Sequence, residues 1–268
     1  MRRIIVVAAL LGFCATACGH SSSNQSLARL NQVGFISDAA AQSQHAGSAK
    51  LEISMKITGG DGDQPFAVKG DGVIDFTNKL FAMTTQMPSS LGFSGTAKMI
   101  MTPDAEYALL PPEMSKEMGG KAGKWIRTTK AEMGGDGQAD PTGLSSFTDP
   151  AGLFEAIKSY ASSVKEVGSA TVRGVGTTEY LVTLDKSKIN ANLKGRDKSA
   201  FDSMPVPQMS VFVGDDRLIR REALSFSDDT GGLTMTIDLF DYGTPVHIAI
   251  PPASDVVDFK SIPTPIPS

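Results

Sequence analysis

Short segments in which apolar and polar residues alternate dominate this chain, and they constrain its fold more than any other feature. Leu51–Thr58 reads LEISMKIT and Leu233–Tyr242 reads LTMTIDLFDY, so an apolar residue recurs at every second position. A period of two is typical of a β-strand that buries one face. Gly, Pro, Asn and Asp separate further segments of this kind, which favours antiparallel strands joined by turns. The further segments are Phe66–Phe76, Lys79–Met87, Ala97–Thr102, Glu106–Leu110, Ala170–Val175, Thr177–Leu184, Gln208–Val213 and Leu218–Ser227.

Two segments predict helices that could cover the apolar face of these strands. In Leu27–Gln44 apolar residues recur at a spacing of three, and Pro150–Ala161 reads PAGLFEAIKSYA directly after Asp149, a good N-cap. The stretch Glu113–Thr142 is rich in Gly and polar residues, so most of it is predicted to be loop. Strands with one apolar face need a cover, and we therefore predict an α+β fold.

The first eighteen residues predict export and a lipid anchor. Arg2 and Arg3 precede the apolar run Ile4–Leu11, and the small residues Ala15–Ala17 come directly before Cys18. This is the pattern of a secretory signal peptide, and its apolar run is shorter than the roughly 20 residues that cross a bilayer. A cysteine after small residues is typical of a bacterial lipobox. We therefore predict that Cys18 is lipidated and holds the protein at the extracytoplasmic face of the cell membrane.

Two other interpretations of this segment stay open. Cys14 is a competing lipidation site, because Leu11 lies in the favoured position three residues earlier, although bulky Phe13 stands where a small residue is needed. Alternatively, the chain is an ordinary secreted protein that is cut near Ala17, with Cys18 left as a thiol.

The predicted organisation has four parts. Residues 1–17 are the lipoprotein signal peptide, and residues 18–26, which continue GHSSSNQS after the cysteine, are a polar tether. Residues 27–260 form one domain, and the Pro-rich residues 261–268 form a tail. Removal of the signal peptide leaves 251 of the 268 residues, a length that suits one large domain.

Composition excludes several classes of protein. Hydrophobic residues make up 41% of the chain and charged residues 20%, which is enough apolar surface for a buried core. The formal net charge is −4, so we expect no nucleic-acid partner. The only cysteine outside the signal peptide is Cys18, which predicts no internal disulfide and no cysteine metal site. We predict no cofactor.

No catalytic or metal constellation stands out in the sequence. His20, His45 and His247 belong to no paired motif. Ser162–Lys165 matches SxxK, but the other motifs of penicillin-binding enzymes are missing. The acidic turn at Asp61–Asp63 lacks the final Glu of a calcium loop. We therefore predict that the protein is not an enzyme and holds no metal.

Methionine is unusually frequent, with 12 residues in the chain. Its flexible, polarizable side chain suits a surface that must accept variable apolar shapes, although ordinary core packing is the competing explanation. Methionines in loops could instead belong to an entrance. Those in or beside strand segments are Met55, Met83, Met87, Met99, Met101, Met209 and Met235, and those in loops are Met114, Met118, Met133 and Met204.

Four motifs together carry a resemblance to a known family. They are GVGTTEYLVTLD at Gly174–Asp185, VFVGDDRLIRRE at Val211–Glu222, DYGTPVHIAIPPASDVVD at Asp241–Asp258 and KWIRT at Lys124–Thr128. With them the chain resembles the actinobacterial lipoproteins of the LppX/LprA/LprF/LprG family. The resemblance extends over most of the predicted domain and is strongest after Gly174.

The resemblance implies a fold and a function. The fold would be that of the LolA/LolB carriers: a strongly curved antiparallel β half-barrel with helices covering the concave face and an apolar cavity between them. The protein would bind the acyl chains of a lipid or glycolipid and carry them across the cell envelope as a monomer, with a membrane transporter as a further partner. Our hypothesis for the cavity wall is the set Leu51, Ile53, Met55, Ile57, Leu233, Met235, Ile237 and Leu239.

Two alternatives compete with this function. If the same eight residues form a filled core, the protein is an interaction or sensory lipoprotein with a protein partner. A cell-wall enzyme is the third class, and a cleft that clusters ionisable residues would favour it.

Overall fold

The strands that the structure describes form one open, curved sheet. The computed structural model describes residues 22–58, 66–87, 89, 92, 94–117, 120–133, 154, 157–188, 208–227 and 232–262. The strands are β1 (Ser48–Thr58), β2 (Phe66–Asp75), β3 (Leu80–Met87), β4 (Gly95–Met101), β5 (Ala105–Leu109), β6 (Trp125–Thr129), β7 (Ala161–Val172), β8 (Val175–Leu184), β9 (Gln208–Gly214), β10 (Ile219–Ser227), β11 (Gly232–Phe240) and β12 (Val256–Asp258). Their order across the sheet is β12-β6-β5-β4-β3-β2-β1-β11-β10-β9-β8-β7.

Pairing is antiparallel at every junction except one. Neighbouring strands in sequence pair with each other from β1 to β6 and from β7 to β11, and β1 pairs with β11. That single long-range pairing joins the two groups of strands into one sheet. The exception is β12, which pairs in parallel with β6. The sheet does not close on itself, because β7 and β12 are its two edges.

Most predicted strands are confirmed to within three residues at each end, but β7 is not. The sequence predicts a helix to Ala161 and a strand only from Ala170, whereas β7 occupies the whole stretch. The reason is that β7 is an edge strand with two bulges, so its side chains do not alternate regularly between faces. Of its residues only Val164 and Val172 are buried.

Three helices have defined bounds: α1 (Ser22–His45), α2 (Pro112–Glu117) and α3 (Lys130–Met133). α1 begins five residues before the predicted Leu27, so it takes in the end of the stretch that we expected to be a tether. α2, β6 and α3 lie in the segment that we expected to be mostly loop. Of the predicted helix Pro150–Ala161, residues 154 and 157–160 are described, and they are helical. Among the described residues, no helix has the length and hydropathy that crossing a membrane requires.

The core lies between one face of the sheet and the helices. α1 contributes Ile36, Ala39 and Ala40, and the second helical segment contributes Phe154 and Ile157. The strand residues of this core all project from the same face, which is the concave one. The predicted cover of the concave face by helices is therefore confirmed. The strand members are Ala49, Leu51, Ile53, Ile74, Phe81, Val164, Val182, Leu184, Met209, Val211, Val213, Ile219, Leu224, Met235, Ile237 and Leu239.

The chain after β11 leaves the middle of the sheet and returns at its edge. Residues 241–255 contain no strand, although part of this segment, around His247, has a strand-like sequence. At its start the Gly243 N–H donates to the Ser48 carbonyl, with an N–O distance of 2.9 Å. At its end Lys124 pairs with Asp255, and β12 aligns along β6.

Candidate functional site

The eight residues of the predicted wall face one another across β1 and β11. The register pairs Leu51 with Leu239, Ile53 with Ile237, Met55 with Met235, and Ile57 with Leu233. Side chains at every second position of a strand share a face, so the eight form one continuous stripe on the concave face. We call this set the β1–β11 stripe.

Burial changes along the stripe. Leu51, Ile53, Met235, Ile237 and Leu239 are at most 4% exposed and belong to the core. Met55, Ile57 and Leu233 are only half-buried. The first five are called the packed end and the last three the open end.

Helix α1 belongs to the same core as the packed end and packs against β7 and β10. Its Ala39 and Ala40 have small side chains and are fully buried against the sheet. The Ser43 hydroxyl donates to the Ala39 carbonyl at 2.9 Å and accepts the Ile219 N–H at 2.9 Å. The Tyr242 hydroxyl donates to the Ile219 carbonyl at 2.5 Å, and burial raises the pKa of Tyr242. This part of the concave face is thus a dry, hydrogen-bonded core.

A buried carboxyl group also lies on this face. Glu222 is 2% exposed and aligns with Ile237 on the neighbouring strand. Its charge is one of the causes that raise the pKa of Tyr242, after desolvation. Glu222 is not among the residues predicted from the sequence, although it is in phase with the buried Leu224, and that period-two relation is the signal that could have placed it inside.

On the far side of β2, methionine side chains continue the concave face across β3 and β4, where Met83 lies level with Leu51. Met83 pairs directly with Met99, and Phe81 pairs with Met101. Together with Met55, these methionines are partly buried and pack against the border of the core. We call Met55, Met83, Met99 and Met101 the methionine patch.

Two glycines of β2 lie between the stripe and the methionine patch. Gly72 aligns with Leu51 and Gly70 with Ile53, so neither position puts a side chain on the concave face. A Cβ atom on Gly72 would lie 2.6 Å from the Ala82 carbonyl oxygen and 3.0 Å from Cδ1 of Leu51. Strand glycines with such close neighbours mark a tight bend or a close backbone approach. The Gly-Asp-Gly sequence of β2 thus allows the sheet to curve where the methionines begin.

The opposite, outer face is polar and ionic. Arg221 holds Asp238 in a two-point contact, with N–O distances of 2.5 and 2.7 Å, and this carboxylate raises the pKa of Arg221. Arg173, in the turn between β7 and β8, reaches Glu52 at 3.0 Å and lies 3.9 Å above the ring of Phe240. The outer face of β1 and β11 therefore does not offer an apolar surface.

The residues of the SxxK match lie on the edge strand β7. Ser162 lies at a bulge, Ser162 and Lys165 are both exposed, and the Ser162 hydroxyl donates to the Thr183 carbonyl at 3.1 Å. His45 ends α1, and His247 is exposed. Within the described part of the chain, no three His, Cys, Asp or Glu side chains could hold a metal ion together. The predicted lipidation site Cys18 lies outside the described residues, as do His20, Asp61, Asp63, Met118 and Met204, which the sequence analysis also considered.

Two Streptomyces proteins are similar to this chain in sequence. An uncharacterized 31.2 kDa protein of Streptomyces griseus is 30% identical over 184 residues, covering 64% of this chain and 59% of the relative. A Streptomyces coelicolor protein named as a putative lipoprotein is 27% identical over 161 residues, covering 60% of this chain and 50% of the relative. The chain thus spans less than two thirds of the length of either relative. No protein-family model matches the chain.

Three solved structures are similar to this chain in backbone fold, and one of them is named as a lipoprotein. LprF from Mycobacterium bovis has a TM-score of 0.48 at 14% identity, covering 83% of this chain and 97% of LprF. LppX from Mycobacterium tuberculosis has a TM-score of 0.45 at 12% identity, covering 81% and 99%. A LolA superfamily protein from Nitrosomonas europaea has a TM-score of 0.30 at 9% identity, covering 78% and 92%.

Proposed function

We propose that this protein is an extracytoplasmic lipoprotein, anchored through Cys18, whose concave face binds the acyl chains of a lipid or glycolipid and carries them across the cell envelope. One observation carries the proposal. The concave face is buried in the core at the packed end of the β1–β11 stripe, yet it is only half-buried at the open end and over the methionine patch. Half-exposed apolar side chains that adjoin a core are the surface that an acyl chain could cover.

The energetics favour acyl chains over a polar ligand. Burial of a methylene group contributes about 0.8 kcal/mol. Because an acyl chain has many methylene groups, even its partial burial gives a large favourable binding free energy. Methionine side chains adapt their rotamers to chains of different length and branching. The headgroup would stay at the mouth beside Ile57 and Leu233, in contact with water. Unloading then requires an apolar acceptor, because nothing in this mechanism supplies chemical energy.

The structure sharpens the hypothesis for the cavity wall. Met55, Ile57 and Leu233 keep the proposed role, and Met83, Met99 and Met101 join them. The five residues of the packed end instead form the closed floor of the proposed site, because they are already buried in the core to which α1 also contributes.

Native mass spectrometry followed by organic extraction tests the proposal. The full-length chain with Cys18→Ser, which removes the anchor, would be purified from an actinobacterial host. We expect a co-purifying acyl lipid at near-equal stoichiometry. A protein that is lipid-free, and stays so after incubation with envelope lipids of the host, would overturn the proposal.

Variants at the methionine patch locate the site. Met83→Trp and Met99→Trp fill the proposed acyl space and should reduce the bound lipid several-fold. The matched controls are Thr84→Trp and Lys98→Trp, which are adjacent in sequence but lie exposed on the outer face. Equal loading of all four variants would contradict this location.

A second candidate function is an interaction or sensory lipoprotein with a filled core. The burial of five of the eight stripe residues by the protein itself favours it. This second function predicts that the protein is lipid-free in the same experiment. It also predicts that a tryptophan at the methionine patch does not change the amount of bound lipid.

A further inference from the structure

We propose that residues 243–255 form a strap across the outer face of the sheet and that β12 is a clasp that fastens this strap to β6. The closed clasp holds β3 to β6 in place, and its release lets these strands move about the glycines of β2. Because β3 and β4 carry most of the methionine patch, the movement would admit and release acyl chains. That last consequence rests on the proposed function, whereas the clasp itself does not.

The two sides of the sheet are held by the core to different extents. The core takes buried residues from β1, from β7 to β11 and from the helices, and β2 and β3 add Ile74 and Phe81. Among the described strand residues, none from β4, β5 or β6 is a buried member of this core, and Met99 and Met101 lie at its border. Helix α1 packs against β7 and β10, on the other side of the sheet. The strands from β4 to β6 therefore need other contacts to fix their position.

The strap begins on the outer face beside β1. The Gly243 N–H donates to the Ser48 carbonyl at 2.9 Å, and the Ser48 hydroxyl donates to the Thr244 carbonyl at 2.6 Å. Ser48 is out of phase with Leu51, so its side chain projects from the outer face. One end of the strap is thus fixed at the middle of the sheet.

Between its two ends, one side of the strap lies against the protein. Val246 and Ile248 are half-buried, whereas the alternate residues Pro245 and His247 are exposed. Ile100 projects from the outer face of β4, between β1 and β6, and is only 7% exposed. A strap that crosses the outer face of β2 to β5 accounts for both observations. The strap contains three prolines, which favour an extended and semi-rigid chain.

The clasp is a short parallel strand at the edge of the sheet. β12 is three residues long and pairs with β6 from Val256 on Trp125 to Asp258 on Arg127. Parallel pairing is slightly less stable per residue than antiparallel pairing. This junction therefore opens more easily than the long antiparallel pairs in the middle of the sheet.

Two ion pairs fasten the clasp. The Lys124 Nζ lies 3.2 Å from the Asp255 Oδ1, and an Arg127 guanidinium nitrogen lies 3.1 Å from the Asp258 Oδ1. The four side chains are between 35% and 50% exposed, so solvent and salt screen both pairs. Asp258 is the largest cause that raises the pKa of Arg127, and a hydrogen bond with Tyr107 on β5 is the next. The clasp is thus linked to β5 as well as to β6.

The glycines of β2 lie at the other end of the moving part. Gly70 and Gly72 separate the β1–β11 stripe from β3, and a strand bends most easily at glycine. The strap passes this bend, from β1 on one side to β6 on the other. A closed clasp therefore fixes the angle between the two parts of the sheet, and an open one frees it.

A disulfide in place of one ion pair tests the clasp. Arg127 and Asp258 are in register on neighbouring strands, which lie about 4.8 Å apart, within the Cα distance that a disulfide spans. The full-length chain would carry Arg127→Cys/Asp258→Cys together with Cys14→Ser/Cys18→Ser, which removes both native cysteines. Amide hydrogen exchange in β3, β4 and β5 should be about tenfold or more faster in the reduced form than in the oxidised form, with β8 to β10 unchanged.

Removal of the ion pairs without cysteines gives a second test. Asp255→Asn/Asp258→Asn should accelerate exchange in β3 to β5 about threefold or more. The matched control Glu52→Gln/Asp241→Asn removes two similarly exposed ion pairs that do not involve β12, and exchange in β3 to β5 should stay within about 1.5-fold of the wild type. Equal exchange in the reduced and oxidised forms, or an equal effect of the two aspartate variants and their control, would overturn the clasp.

Lipid uptake by the same preparations separates the clasp from lipid carriage. The probe is a phospholipid with a pyrene-labelled acyl chain, offered in phosphatidylcholine vesicles, and its uptake should be about tenfold or more slower in the oxidised form. Equal uptake by two forms that differ in exchange would overturn the gating of acyl chains by the clasp. If neither form nor the wild type takes up the probe while exchange still depends on the disulfide, only the proposed function is contradicted.

Discussion

The two ends of the β1–β11 stripe share their strands, their face and their alternating pattern, yet they are buried differently. At the packed end Ile53 faces Ile237 and is nearly inaccessible, whereas at the open end Ile57 faces Leu233 and stays half-buried. The side chains are equally apolar, so hydrophobicity does not explain the difference. Core membership does, because the packed end belongs to the core that α1 and Phe154 complete, whereas Ile57 and Leu233 do not. An apolar face is thus a core where the protein covers it and a candidate binding surface where it does not.

Truncation of one residue at each end should give the largest contrast. Ile237→Ala removes a fully buried side chain and should lower the free energy of unfolding by about 3–4 kcal/mol. Leu233→Ala, four residues earlier on the same face, should cost about 1 kcal/mol because part of that side chain is already in water. Urea unfolding of the lipid-free protein measures both values. Losses of equal size would show that the two ends are packed alike.

Enlargement should separate the packed end from the methionine patch. Met235→Trp forces a larger side chain into a filled space and should cost about 2–3 kcal/mol. Met99→Trp, on a half-exposed side chain of the same face, should cost less than about 1 kcal/mol. Thermal unfolding of both variants is the measurement. If Met235→Trp were tolerated, the packed end would contain unfilled space and could itself receive a ligand.

The hydrogen bonds beneath α1 belong to the packed end alone, and Ser43→Ala tests them. The change leaves the buried Ile219 N–H without its acceptor and should cost about 1–2 kcal/mol. The matched control is Ser54→Ala on the outer face of β1, with an expected change within about 0.5 kcal/mol. Hydrogen exchange of the Ile219 amide should accelerate in Ser43→Ala only. An unchanged exchange rate would mean that α1 does not hold β10 at this point.

Alkaline pH should weaken the packed end through Tyr242. Burial raises the pKa of Tyr242 above its usual value near 10, so the folded state favours the protonated phenol. The stabilising contribution is therefore complete below about pH 10 and is lost as the pH rises above it. Tyr242→Phe should flatten the fall in stability above about pH 10, at a cost of about 1 kcal/mol at neutral pH for the lost hydrogen bond to Ile219.

Stability curves of the wild type and Tyr242→Phe against pH check this prediction. A smaller slope should persist in the variant, because burial also raises the pKa of Tyr180, with a further contribution from the charge of Glu166. Identical slopes in the two proteins would show that Tyr242 is not the titrating group.

The period-two pattern predicted most strands and the face they share, because alternation follows from the geometry of a single strand. It placed Leu51 and Leu239 on apolar faces correctly, but it did not predict that their strands pair with each other across almost the whole chain. The full length of β7 was not predicted, because its edge position and its two bulges disrupt the alternation of apolar and polar residues. The difference in burial between the two ends of the stripe could not be predicted from the sequence either. Whether Ile57 or Ile53 is buried depends on how the helices pack against the sheet, and the local sequence of β1 does not determine this.

Photo-crosslinking with a phospholipid that carries a diazirine near the end of its acyl chain tests the central claim most directly. The full-length chain with Cys18→Ser would be loaded, irradiated and mapped by peptide mass spectrometry. We predict adducts at Met55, Met83, Met99 or Met101, with the packed-end residues Ile237 and Leu239 unlabelled. Adducts at Ile237 or Leu239, or labelling confined to the outer-face neighbours Thr84 and Lys98, would contradict the assignment of the methionine patch as the acyl-binding surface.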